Sequence, residues 1–167
     1  MSSSAIGSRG LTGASYAVGF LLIVVSVFDF VTTILPAALS DVSWRYGAVG
    51  LLSGFTLTPL LGGWIVAFTA ASAGHRGVAL AMATVHLVVA VVIVLAVIGF
   101  GLDALQVRRA TPEEQRTLTE LSSLKALVKL LPSAAVAAWL GVAGLKTGRA
   151  GASPRSEGPA SPVVIGR

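Results

Sequence analysis

The chain contains no cysteine. That absence removes disulfides, thiol redox chemistry and thiolate metal sites together. Charge is scarce as well. Only 11% of the 167 residues are charged, against about 25% in an ordinary soluble domain. So few charges cannot cover a globular surface in water, and lipid is the alternative solvent. Catalytic motifs are missing too. There is no glycine-rich phosphate loop, no HExxH, no nucleophile beside a base and no pair of carboxylates within an apolar run. Hydrolysis and phosphoryl transfer therefore lack their parts, and the chain is not expected to be an enzyme or to carry a cofactor or metal. Its net charge of +5 is scattered between apolar segments, with no recognition helix and no aromatic–basic interleaving. Nucleic acid is not an expected partner, and the cations suit a headgroup-facing role.

Long apolar runs dominate instead. Hydrophobic residues make up 54% of the chain. A hydrocarbon core of about 30 Å needs roughly 20 helical residues, and four segments approach or exceed that length. They lie at about 15–39, 47–71, 78–102 and 126–147. The third contains "LVVAVVIVLAVIGFG", rich in β-branched residues that suit strands. A lone strand in lipid would leave its backbone unpaired, so a helix is expected there. The expected fold is an all-α integral membrane protein of four transmembrane helices, multi-pass, in a cell membrane of the bacterial inner-membrane kind. Residues 1–14 read as a flexible tail, and residues 149–167, rich in Gly, Pro and Ser, as a disordered one. "ALS" before Asp41 has the form of a signal-peptide cleavage site. The first run exceeds an h-region in length and contains Asp29 and Pro36, so it reads as a retained span.

Between the third and fourth spans an amphipathic helix is expected over about 112–131. Thr111 suits an N-cap, Pro112 the first helical position, and Glu114 completes a capping box. Leu118, Leu121, Leu124, Leu127 and Leu131 recur at spacings of three and four, as on a helix lying along the interface. Pro132 should break or kink it. Trp44 and Tyr46 flank Arg45 in the first turn, a pattern of the membrane–water boundary. Lys and Arg are balanced between the two sides and set no orientation.

The candidate functional residues are the polar ones inside the spans. Asp29 stands alone as a deep acid, about 20 Å from the tail side at ~1.5 Å per residue. A charge at the bilayer centre costs about 2.5–3.5 kcal/mol, so it should face a partner or water. Ser26, Asp29 and Thr33 share one helical stripe. Thr56 and Thr58 of the second span arrive at a similar depth, and Pro59 frees a carbonyl beside them. His86 is a second candidate, about 12 Å from the tail side. With His75 in a turn, one chain does not offer two facing histidines for haem.

Two readings follow. In the preferred one Asp29 is a packing device, neutral and bonded to a neighbouring hydroxyl, in an accessory or scaffolding subunit of a membrane assembly. In the alternative Asp29 is the protonatable group of a small proton-coupled transporter or channel. Gly50/Gly54 and Gly144/Gly148 form GxxxG pairs suited to close helix packing. The lipid bilayer is the expected surrounding, and a homo-oligomer or larger membrane complex the expected setting.

Overall fold

A computed structural model describes the backbone of residues 3–150 and the side chains of residues 10–147. Among the described residues all regular structure is helical. Five helices follow in order: α1 Ser3–Ile34, α2 Val42–Phe55, α3 Leu57–Ser72, α4 Arg76–Ala110 and α5 Glu113–Ala150. Of these, α1, α4 and α5 are long and apolar enough to cross a membrane. α2 and α3 reach that standard only as a pair, bent by 44° at Thr56. The bundle thus offers three spans, or four if the bent pair crosses as one.

Several boundaries differ from the sequence expectation. Residues 3–14, expected as a loose tail, continue α1. The expected disorder after residue 150 lies outside the described residues. The second span is two helices rather than one. The interfacial helix and the fourth span are one continuous helix, α5, running through Pro132. That proline removes a donor from the Val128 carbonyl. Packing holds the helix together there: Leu130 and Ala134 cluster with Ile93 of α4. Ser133 Oγ also donates to the Lys129 carbonyl at 2.8 Å. Thr111 is not the expected cap of α5. Its hydroxyl donates to the Val107 carbonyl at 2.7 Å and closes α4 instead.

The buried residues are mostly small. Ala83, Ala90, Ala126, Ala134 and Ala137 line the seam where α4 and α5 run antiparallel. α1 leans on α3, and less on α2, but its backbone has no neighbours on α4 or α5. At the α1–α3 crossing a Cβ on Gly19 would stand 2.8 Å from the Gly62 carbonyl, and one on Gly62 2.6 Å from the Gly19 carbonyl. Only glycine permits that approach. Large side chains point outward, among them Phe20, Phe28, Leu95 and Trp139. In water such a surface would drive aggregation. Against lipid it carries no such penalty, because acyl chains are as apolar as the side chains.

Candidate functional site

One end of the bundle is fastened by three consecutive residues. Asp41 caps α2, accepting from the Ser43 backbone N–H at 2.8 Å. The next turn presents Trp44, Arg45 and Tyr46. Trp44 Nε1 donates to the Ile34 carbonyl at 3.2 Å, which ties down the end of α1. The Arg45 fork meets Asp103 of α4 twice, Nε to Oδ2 at 3.0 Å and Nη2 to Oδ1 at 2.7 Å. Its Nη1 donates to the Leu39 carbonyl at 2.8 Å. The Tyr46 ring stacks on Phe100 at 4.9 Å, and its hydroxyl lies 2.7 Å from Ser123 Oγ of α5. Asp103 is buried, and two guanidinium bonds satisfy its carboxylate. This cluster is a joint between helices. Sequence reasoning placed Arg45 at the boundary but missed Asp103. Antiparallel neighbouring spans bring the start of one beside the end of the next, and that rule would have paired them.

At the opposite end, the Tyr16 hydroxyl lies 2.8 Å from His75 Nδ1, and the two rings are stacked. His75 therefore also joins helices, linking α1 to the turn before α4.

Between these fastenings the α2–α3 break floors a cavity of about 330 Å³. α1 and α4 wall it, with Phe30 and Phe55 among its lining. Those two rings stand 5.9 Å apart and tilted. Pro59 explains the break locally. It has no N–H for the carbonyl of Phe55, one turn earlier. The lining is almost wholly apolar, and its polar side chains are Ser26, Thr56 and His86. All three residues are buried. Thr56 Oγ1 donates to the Leu52 carbonyl at 2.6 Å. Among the described residues no hydrogen bond reaches the Ser26 hydroxyl. His86 Nδ1 sits 2.7 Å from the Met82 carbonyl. A carbonyl only accepts, so Nδ1 carries a proton, and Nε2 of the neutral ring is an acceptor. No protein group among the described residues bonds Nε2. A Cβ on Gly63 would come 2.9 Å from it, so that glycine makes room for the imidazole.

The sequence-derived stripe is split by this geometry. Ser26 turns into the cavity with Thr56 and His86, whereas Asp29 is exposed on the outside of α1. The expected meeting of Asp29 with the second-span hydroxyls does not occur. Thr33 Oγ1 bonds the Asp29 backbone carbonyl at 2.7 Å, and Thr32 does the same at 3.0 Å. Their hydroxyls thus serve the helix backbone, a normal arrangement in lipid. Among the described residues no hydrogen bond or ion pair reaches the Asp29 carboxylate. Thr58 is exposed as well.

The glycine pairs also divide. A Cβ on Gly144 would meet the Ala83 Cβ at 2.8 Å, so that residue packs within the bundle. Gly50 and Gly54 face open space. The surroundings of Gly148 lie outside the described residues. Set against known proteins, the chain matches no family, no curated protein and no solved structure.

Proposed function

We propose that the chain is a non-enzymatic accessory or scaffolding subunit of a membrane assembly, seated in a membrane of the bacterial inner-membrane kind. One observation carries this reading: the exposed Asp29 carboxylate has no partner among the described residues. Its depth follows from the packing. Ile34, five residues after Asp29 on α1, accepts from Trp44 of the polar joint. At ~1.5 Å per residue, Asp29 lies about 8 Å from that joint along α1. Exposed large side chains surround it, Phe28 and Val25 among them. An acid at such a depth is costly unless a donor meets it. The occupant of this face is therefore a transmembrane helix of a partner carrying Lys, Arg or a hydroxyl donor at the level of Asp29.

The test is extraction in a mild detergent, followed by sizing and mass spectrometry of what accompanies the chain. Asp29→Leu should release the partner while the subunit stays folded. An unchanged assembly in that variant would sink the proposal. The alternative, proton coupling through Asp29, draws less support because Asp29 points away from the cavity. It requires Asp29→Asn to abolish a pH-dependent flux measured in vesicles.

A further inference from the structure

The cavity at the broken span is independent of Asp29 and raises a separate question. Two polar groups stand unengaged among its apolar walls. His86 is 3% exposed, with its proton on Nδ1 directed to Met82, and Nε2 offers a lone pair. Ser26 is 8% exposed and its hydroxyl has no partner among the described residues. Among the described residues no enclosed side-chain polar atom lacks a partner, so Nε2 and the Ser26 hydroxyl open onto the cavity, where a ligand that donates gains a bond.

The nature of that ligand can be narrowed. One water satisfies both groups but leaves the rest of the volume, which is apolar, unfilled. A charged molecule would lose its hydration to a lining with no counter-charge. A whole phospholipid is too large: an apolar cavity of about 150 Å³ holds one benzene, so about 330 Å³ holds on the order of ten heavy atoms. The occupant is then a compact, neutral hydrophobe with one strong hydrogen-bond donor. The Phe30 and Phe55 rings favour an aromatic body, which packs edge-to-face or offset against them.

The geometry points to this cavity as a binding site for a neutral, lipid-soluble phenol whose hydroxyl donates to His86 Nε2. The ring lies among apolar side chains of α1 and α4, and entry is from the bilayer between those helices. Gly63 keeps the acceptor accessible. Ser26 provides the facing polar contact.

The experiment uses the full chain in phosphatidylcholine nanodiscs. A diazirine-bearing alkylphenol is photolysed, and labelled peptides are identified by mass spectrometry. Labelling should saturate and fall on α1, α3 and α4. 4-Butylphenol should compete about tenfold better than butylbenzene, the difference one hydrogen bond makes. His86→Phe, which keeps the bulk but removes the acceptor, should erase that difference. Should His86→Phe fail to fold by circular dichroism, Ser26→Ala and the phenol–benzene comparison on the unaltered chain decide instead, with Ser26→Ala weakening competition several-fold. Equal competition by the two compounds, unsaturable labelling, or an unaltered preference in folded His86→Phe would overturn the assignment.

Discussion

Asp103 and Asp29 each put a carboxylate on an apolar helix, and their surroundings differ. Asp103 receives both arms of the Arg45 fork and is buried. Its neutralisation by Asp103→Asn should leave part of the guanidinium unpaired and lower the thermal midpoint in detergent. Restoring the charges in reverse, with Arg45→Asp and Asp103→Arg together, should recover part of the loss. Asp29 is exposed, so the isolated subunit should lose nothing by its removal. Asp29→Leu is expected to leave the monomer at least as resistant to unfolding in detergent. A loss of stability there would mean that the carboxylate has a partner within the chain. The sequence singled out Asp29 as the lone deep acid and passed over Asp103. Helical periodicity gives a stripe but not which neighbour lies against it. Ser26 and Asp29 share that stripe, yet one faces the cavity and the other the outside.

The helices themselves were legible where lipid imposes length. The apolar runs of α1 and α4 fall close to the expected spans, because an unpaired backbone in hydrocarbon leaves no shorter solution. The break between α2 and α3 was half legible: Pro59 announced a freed carbonyl, but apolar composition runs evenly across Thr56. α5 misled for a related reason. Pro132 and the amphipathic leucines argue for two helices, and tertiary contact through Leu130 and Ala134 makes them one. The α1–α3 crossing was hidden, since Gly19 and Gly62 lie far apart in sequence. Gly62→Ala should cost about 1–3 kcal/mol by overpacking against the Gly19 carbonyl. Gly50→Ala, facing open space, should be close to neutral in the isolated subunit. The two variants compared by thermal unfolding test the assignment of the tight contact.

At the scale of the whole molecule, the count of spans rests on the bent pair. If α2 and α3 cross together, Ser40 and Ala73 lie on opposite faces of the membrane. The absence of cysteine makes this simple to check. Ser40→Cys and Ala73→Cys should each react with an impermeant maleimide from one side only, and from different sides. Labelling from the same side would make α2–α3 a re-entrant hairpin and leave three crossings.

α1 is held midway at Tyr16, at its Ile34 end and at the glycine crossing, with nothing of α4 or α5 against its described backbone. It is therefore a shutter: its inner side closes the chamber containing His86, and its outer side displays Asp29. Whatever seats itself on the outer side leans on the same rod that a guest inside must push against. The two occupancies cannot be energetically deaf to one another, and each should alter the other's affinity by an equal factor.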